Sequence, residues 1–458
     1  MGSVTGTLPG STWRAMETAV GCDVVRPGAA DYDTLRRPAI TRPDDVRPAA
    51  IVRCAGAEDV AAALAFARSA QLPVAVRSGG HCFAGRSTSE GVVLDVSPLA
   101  AVAVAAGRAT IGAGARLGDV YDALDAHGLT IPAGCGPTVG IAGLTLGGGL
   151  GILGRLHGLT SDSLRAAQVV LADGRVVTCD PDTEADLFWA LRGAGGARFG
   201  VVTSLVFETI PAPPTTAFEL VWAPAGAAAL MGAWQEWAPA APDAIAASLL
   251  LNTDGGALRV RGFGAMAASE AETRRRLDEL AAAAGADPTA ATPRTGSYRE
   301  AKRFLSGLGE ADEEDAGHPF SKSEFMAQRF SSEAIDALLA HLRTAPAAAE
   351  LDFSPWGGAY TRVAREATAF AHRTARFLLK HAIVVDPDAT AGGRAAARDW
   401  LARSWELAHP FGTGGVYPNF PDPDLDDWDA AYHGPNRERL LAVKRRYDPD
   451  GVFGAAPR

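Results

Sequence analysis

The sequence lacks several features that mark disulfide-stabilised, zinc-binding and membrane-spanning proteins. Its 458 residues contain five cysteines, an odd number without a Cys-x-x-Cys pair, which argues against a disulfide framework and against a metal site. No run of apolar residues is long enough for a membrane-spanning helix, so none is expected. The N-terminal residues lack an apolar segment, and we therefore expect no secretory leader and a cytoplasmic protein.

Positive charge is also scarce. The 43 Lys and Arg residues are outnumbered by 53 Asp and Glu residues, so the net charge is −10. A chain with this balance is not expected to bind nucleic acid or an anionic membrane through its overall charge. The length predicts two or three domains with large cores, and a hydrophobic content of 47% is typical of a globular protein.

Glycine, in contrast, is abundant and is concentrated in two stretches. In the first, residues 73–81 (PVAVRSGGH), an apolar run predicts a short strand that ends at a Ser-Gly-Gly turn. In such a glycine turn several backbone N–H groups can point at one anion, most often a phosphate. Arg77 adds a positive charge beside them. The second stretch, residues 134–151, reads GCGPTVGIAGLTLGGGLG. Two such stretches with an Arg and a His attached favour a cofactor site over a pair of structural turns.

The RSGGH sequence at 77–81, followed by Gly85 and Ser87, resembles the flavin-attachment motif of berberine-bridge-enzyme-like FAD-linked oxidases. The resemblance covers nearly the whole chain, and residues 186–203 also match a recurring segment of that family. It implies FAD bound covalently through His81 to the 8α-methyl carbon of the flavin, with glycine amides holding the pyrophosphate. The residues implied to bind FAD are Arg77, Ser78, Gly79, Gly80, His81, Gly85, Ser87, Cys135, Gly136, Thr138, Val139, Gly140, Gly143, Gly147, Gly148, Gly149, Gly151, Gly200, Val202, Tyr417 and Asn419.

The same resemblance leaves the number of flavin bonds open. Some relatives attach FAD a second time through a cysteine immediately before Pro-Thr-Val-Gly. Here that place is taken by Gly136, and Cys135 lies one position earlier. We therefore expect one bond, through His81, with a second bond through Cys135 as the alternative. A further departure is Arg198, which stands where the family usually has Asn.

The pattern of strands and helices predicts an α+β fold. The resemblance implies that residues 1–210 form the N-terminal part of a two-part FAD-binding domain of the vanillyl-alcohol oxidase type. The Pro-rich linker at 211–214 then leads into a substrate-binding α+β domain with an antiparallel sheet, assigned to 211–395. The resemblance implies that residues 396–458 return to the FAD domain. Asp173-Gly174 predicts a hairpin with a two-residue loop.

The resemblance specifies the catalytic residues less completely than the FAD-binding residues. Val139 matches the position that gates oxygen in the family, and a valine there favours an oxidase over a dehydrogenase. Phe420 stands where many sugar and alcohol oxidases of the family carry a Tyr that serves as base, and a phenyl ring cannot accept a proton. The base is therefore expected elsewhere, first at Tyr360 and second at His372.

A dinucleotide-binding pattern overlaps the second glycine stretch. Residues 149–154 satisfy the G-x-G-x-x-G pattern, but a glycine loop precedes them and Asp173 lies in a turn, which disfavours an NAD(P) enzyme. The expected function is an FAD-dependent oxidase that takes hydride from an alcohol or amine carbon of a small molecule, a secondary metabolite, and reduces O2 to H2O2. Alternatives are an oligosaccharide or hexose oxidase, a flavin dehydrogenase and a non-catalytic flavin-binding protein. A monomer or homodimer is expected.

Overall fold

The N-terminal part of the chain is built on a small mixed sheet. The computed structural model describes residues 10–42, 44–308 and 317–454, so most of the segment in which no leader was expected lies outside the described residues. Three strands of the sheet are parallel, and an antiparallel strand borders them. In spatial order the strands are Val24–Val25, Ala50–Arg53, Val92–Asp95 and Val74–Arg77.

This sheet contains a β-α-β unit. Helix Ala57–Ser69 connects strand Ala50–Arg53 to strand Val74–Arg77 and buries Val60 and Leu64 at helical spacing. The strand at Val74–Arg77 runs parallel to its neighbour, so its carboxyl end carries the Ser-Gly-Gly turn to one edge of the sheet.

A second sheet of antiparallel strands completes this domain. In spatial order its described strands are Val102–Ala105, Arg108–Gly112, Val201–Glu208, Leu164–Val170 and Val176–Cys179. The last two form the predicted hairpin, but the prediction of a two-residue loop was wrong. Leu171 donates its N–H to the carbonyl of Arg175 at 2.9 Å, which leaves three residues in the loop. The third of them, Gly174, has φ of 87°, a left-handed conformation that glycine adopts without strain.

The second half of the chain forms the predicted antiparallel sheet, which is larger. In spatial order its described strands are Ala290–Ala291, Thr215–Trp222, Ala257–Met266, Ile245–Asp254, Ala348–Pro355, Phe377–Val385 and His318–Met326, with Arg294–Gly296 also pairing to Thr215–Trp222. Apolar side chains alternate along the strands, so that Leu351 and Phe353 enter a core with the covering helices. Glu350 and Asp352 therefore point to the opposite face, towards the FAD-binding domain.

Helices cover the sheets and form the connections. None of those in the described ranges has the length and apolarity needed to cross a bilayer. The α-helices are Gly10–Ala19, Tyr32–Leu35, Ala57–Ser69, Leu117–Asp125, Ile141–Leu146, Gly154–His157, Ala185–Leu191, Ala227–Ala240, Glu270–Ala284, Tyr298–Gly307, Ser332–Leu342, Ala359–Arg362, Ala391–Ala408, Trp428–His433 and Arg437–Tyr447. Short 3₁₀ helices lie at Thr160–Ser163, Pro224–Gly226, His409–Phe411 and Gly434–Asn436.

The C-terminal segment returns to the N-terminal domain, which is the expected FAD-binding domain, but later than predicted. The boundary assigned after residue 395 falls inside helix Ala391–Ala408. Trp400 and Leu401 of that helix are buried in the core of the large sheet, so the helix belongs to the substrate-side domain. Leu440 and Val443, in contrast, pack into the core of the FAD-binding domain. The return therefore begins beyond residue 408.

The returning segment is tied to the large sheet by a buried ion pair. Lys322 Nζ lies 2.7 Å from Asp422 Oδ2, and the two side chains are 10% and 3% exposed. Removing the amine would leave the Asp422 carboxylate buried without its counter-charge, so Lys322→Ala should lower the free energy of unfolding by about 3–5 kcal/mol. Urea unfolding followed by tryptophan fluorescence measures this. Arg403→Ala, which breaks the exposed Arg403–Glu406 pair, should cost less than about 1 kcal/mol. Equal losses in the two variants would contradict the assignment.

Candidate active site

A cavity of about 550 Å³ lies where the two glycine stretches, the large sheet and the returning segment meet. Its volume is in the range usual for sites of small molecules and cofactors. Many of the residues predicted to bind FAD line it. These are Ser78, Gly79, Gly80, His81, Ser87, Cys135, Gly136, Val139, Gly140, Gly143, Gly200, Val202, Tyr417 and Asn419.

The two glycine stretches touch each other backbone to backbone. A Cβ on Gly79 would lie 2.9 Å from the Cα of Gly140 and would overlap its amide nitrogen, so neither position has room for a side chain. Gly80 has φ of 75°, which turns the chain back at this point. Gly143 and Gly196, which also line the cavity, have no atom within 4 Å of where a Cβ would stand. Side chains at these two positions would therefore fill the cavity, and their absence fits a bound cofactor.

Arg77 does not face this cavity, contrary to the sequence prediction. Its side chain is 6% exposed and donates hydrogen bonds to the backbone carbonyls of Leu35, Arg36 and Ser87. Burial lowers the pKa of its guanidinium from the usual value, with Asp95 acting in the opposite direction. Arg77 therefore fixes the loop that follows His81 and does not supply charge to the cavity.

The other residues predicted to bind FAD do not line this cavity, and some of them contact residues that do. Gly149 donates its N–H to the Tyr417 hydroxyl at 3.1 Å, and a Cβ on Gly147 would overlap the Asn419 amide. Asn419 donates to the carbonyl of Leu144 at 2.9 Å. The returning segment is thus hydrogen-bonded to the second glycine stretch. Residues of this supporting set, which do not line the cavity, are Gly85, Thr138, Gly147, Gly148, Gly149 and Gly151.

A second cavity of about 200 Å³ adjoins the first. Cys135, Leu150 and Asp352 line both, so the two spaces meet at these residues. The rest of its lining is largely apolar. Its members include Ile152, Phe263, Leu305, Pro355, Trp356 and Tyr360. A substrate in the second cavity would contact a cofactor in the first at this junction.

Tyr360 lines the second cavity but is unsuited to act as the predicted base. Its hydroxyl donates to the carbonyl of Gly151 at 3.2 Å, and its ring stacks on Trp356 with centroids 4.2 Å apart. Burial raises the pKa of the phenol far above its usual value. The hydroxyl therefore keeps its proton and serves to hold Gly151 in place.

His372, the second predicted base, lies outside both linings. Its Nε2 bonds to the carbonyl of Tyr432 at 3.0 Å, and its ring stacks on Phe325 with centroids 4.7 Å apart. Burial lowers the pKa of His372 to about 4. We conclude that this imidazole is neutral and packs in the interior.

The acid–base group that the sequence prediction missed is Asp352, in strand Ala348–Pro355. It is the one acidic residue among the described lining of the first cavity. Burial raises its pKa to about 6, and the neighbouring Lys380 opposes that rise. Lys380 is its cross-strand partner, with Nζ 3.8 Å from Asp352 Oδ2 and 2.8 Å from Glu350 Oε1. A carboxyl group with this pKa at the junction can accept a proton near neutral pH.

Asp352 could have been suspected from its strand. In the ELDFSP sequence at 350–355, acidic residues alternate with Leu and Phe, which places both acids on one face. The alternation alone does not say what that face meets. Phe420, whose hydroxyl is missing, lies near the same charges, because Lys380 Nζ is 5.4 Å from its ring centroid.

Cys135 has a cationic neighbour. Lys302 is 1% exposed, and its Nζ lies 3.7 Å from Cys135 Sγ while also donating to the carbonyl of Gly134 at 3.0 Å. Burial lowers the pKa of this amine. The five cysteines are all free thiols, and no group of metal-binding side chains occurs in the described ranges. Gly136 cannot readily carry a side chain, because a Cβ there would lie 2.9 Å from Val139 Cγ2.

Comparison with known proteins identifies the family of the chain. Residues 48–180 match the family described as FAD binding domain, and residues 416–457 match berberine and berberine like. The chain is 33% identical to the FAD-linked oxidoreductase YgaK of Bacillus subtilis, over 89% of this chain and 90% of that protein. The chain belongs to the berberine bridge enzyme-like FAD-linked oxidoreductases.

Other members of the family are enzymes with named substrates. Chitooligosaccharide oxidase of Gibberella zeae is 30% identical, over 89% of this chain and 86% of that protein. The (R)-6-hydroxynicotine oxidase of Paenarthrobacter nicotinovorans is 40% identical over 182 residues, which cover 39% of this chain and 40% of that one. Solved structures share the whole fold. Berberine bridge enzyme-like 1 of Physcomitrella patens matches with a TM-score of 0.87 at 26% identity, covering 97% of each chain.

These findings confirm the predicted family, α+β fold and FAD cofactor of this berberine bridge enzyme-like protein. Glucooligosaccharide oxidase of Acremonium strictum matches with a TM-score of 0.85 at 26% identity, covering 97% of this chain and 98% of that one. The flavin of that oxidase is described as 6-S-cysteinyl, 8α-N1-histidyl FAD. In the present protein His81, Cys82 and Cys135 are the lining residues of the matching chemical types.

The number of flavin bonds can be read directly from acid-denatured protein. Gly136 occupies the position at which some relatives carry the cysteine of the second flavin bond. We therefore expect yellow colour to stay with the wild-type chain and with Cys135→Ala. It should wash out of His81→Ala, since the only tether is then gone. Absorbance of the washed precipitate at flavin wavelengths is the measurement. Colour retained by His81→Ala and lost in the double variant would show that Cys135 also bonds the ring.

Proposed function

We propose that this berberine bridge enzyme-like protein is an FAD-dependent oxidase. It removes hydride from a carbon that carries a hydroxyl or amine in a small, largely apolar molecule such as a secondary metabolite, and its electrons pass to O2 to give H2O2. The supporting observation is Asp352, a carboxyl group that lines both cavities where they meet. FAD, when bound through His81, supplies the hydride acceptor.

Asp352 is the proposed base. It takes the proton of the substrate hydroxyl or amine as the adjacent C–H bond is broken. Its pKa of about 6 leaves it ionised at neutral pH, and the Lys380 ammonium keeps it from rising further. Lys380 is itself held by Glu350 at 2.8 Å, so its position is fixed on both sides. The base is thus part of a rigid sheet.

The surrounding side chains bind the substrate and exclude water from it. Phe420 lines the first cavity and packs edge-on to Tyr417 and Phe83, with centroids 5.1 and 5.9 Å apart. Phe263 and Trp356 add aromatic walls to the second cavity. A cavity of about 200 Å³ lies below the range usual for drug-sized ligands, which favours a compact substrate.

A second candidate is an oligosaccharide oxidase. The full-length similarity to chitooligosaccharide oxidase favours it. Phe420 weighs against it, because a phenyl ring cannot serve as the base that many sugar oxidases carry at this position, and the aromatic walls of the second cavity favour an apolar substrate. Comparing rates of H2O2 release with sugar oligomers and with small alcohols and amines separates the two candidates.

The role of Asp352 predicts a defined loss and a defined pH profile. Asp352→Asn should slow anaerobic flavin reduction about 100-fold or more, because an amide cannot accept the proton. In the wild type the rate should rise with pH through about 6 and level off above it, since only the ionised carboxylate is a base. Stopped-flow absorbance with a substrate found by screening measures both.

Tyr360→Phe is the matched control for that experiment. It removes a hydroxyl from the second cavity but leaves Asp352 intact, so the reduction rate should change by less than about tenfold and the pH profile should remain. A collapse of the rate in Tyr360→Phe with a normal rate in Asp352→Asn would return the role of base to Tyr360.

In this proposal O2 can reoxidise the reduced flavin because the small side chain of Val139 leaves room for it. Its Cγ2 already fills the place where a side chain on Gly136 would stand, and the residue lines the cavity. Val139→Leu adds bulk there and should slow reoxidation of the reduced enzyme by O2 about tenfold or more, while flavin reduction changes less. Stopped-flow mixing of photoreduced enzyme with oxygenated buffer gives the rate. An unchanged reoxidation rate would remove Val139 from the proposal.

A further inference from the structure

Charge along the 550 Å³ cavity is unevenly distributed. Among its described lining residues, Arg86 is the one Arg or Lys, and His81 is the one other basic side chain. The acidic residue, Asp352, lies at the junction with the second cavity. Arg77, to which the sequence assigned the positive charge beside the glycines, is committed to backbone carbonyls and does not supply that charge.

Arg86 lies near Arg198 and Tyr432. Its charge contributes to lowering the pKa of Arg198, behind the larger effect of burial, and opposes the burial that raises the pKa of Tyr432 to about 12. Arg198 directly follows Gly195, Gly196 and Ala197, which line the cavity. Arg86 therefore stands close to the cavity wall formed by residues 195–197.

Two guanidinium groups of like charge are thus neighbours at this wall. Arg198 contacts His433 Nε2 and lies over the Trp428 ring, 5.1 Å from its centroid. Asp429, whose charge raises the pKa of Arg198, is itself paired with Arg437 at 2.9 Å. Arg86 is an exposed side chain, and no described carboxylate lies within ion-pair distance of it. The local excess of positive charge would be relieved by an anion between Arg86 and the wall.

The diphosphate of FAD would provide such an anion. If the protein removes hydride as proposed above, the flavin ring would lie where the two cavities meet, at Asp352 and Leu150. The diphosphate, several bonds away from the ring, would then lie away from the junction. We propose that Arg86 is the residue that pairs with the FAD diphosphate, assisted by the charge of Arg198 behind it. This contact adds a side-chain counter-charge to the amides of the glycine stretches.

The test measures reversible flavin binding in a full-length His81→Ala/Cys135→Ala background, in which neither residue can form a covalent bond. FAD and riboflavin, which has the ring but no phosphate, are titrated by fluorescence. Arg86→Ala should raise the Kd for FAD about tenfold or more and change that for riboflavin less than about twofold. Arg86→Lys should retain part of the affinity for FAD, and Arg86→Glu should lose more than the alanine variant.

Arg108→Ala is the control, since it removes an equal charge from an exposed residue on the strand Arg108–Gly112, which does not line the cavity. It should leave both constants unchanged. Raising the ionic strength should shrink the difference between wild-type and Arg86→Ala affinities for FAD. Equal losses for FAD and riboflavin would mean that Arg86 only supports the loop. An unchanged Kd for FAD would also overturn the proposal.

Discussion

The active site depends on the contact between two stretches of bare backbone. Gly79 and Gly140 approach so closely that neither can carry a Cβ, and this contact joins the end of a parallel strand to the second glycine stretch. The cavity floor is therefore made of peptide groups, which are rigid and rich in N–H donors. The cavity-lining side chains of His81, Val139 and Asn419 are positioned relative to this floor.

The sequence predicted the parts of this arrangement that depend on local pattern. The strand that ends at the first glycine stretch follows from an apolar run, and the covalent-flavin motif follows from a resemblance of residues 77–81. The hairpin at Gly174 was predicted with one residue too few in its loop, because Asp-Gly suits more than one turn. The domain boundary near 395 was misplaced, since helix packing partners are not encoded in the helix alone.

Site residues whose direction depends on tertiary structure were harder to predict. Arg77 precedes the glycines in the chain, but alternation along its strand turns the side chain away from the cavity. Tyr360 does reach the second cavity, yet its hydroxyl is held by Gly151. Asp352 was not predicted, because the residues next to it in the sequence do not resemble a catalytic motif. Its chemistry arises from burial beside Lys380, which only the pairing of two strands creates.

The hydrogen bonds from Gly149 to Tyr417 and from Asn419 to Leu144 have a consequence for biosynthesis. The residues that close the cavity leave the ribosome after almost all of the FAD-binding domain and the whole substrate-side domain. Until residues 417–421 have docked, the floor and its glycine amides remain open to solvent on that side. Cofactor enclosure is therefore a late event in the life of each chain, and a nascent chain that stalls within the large sheet has no closed flavin site.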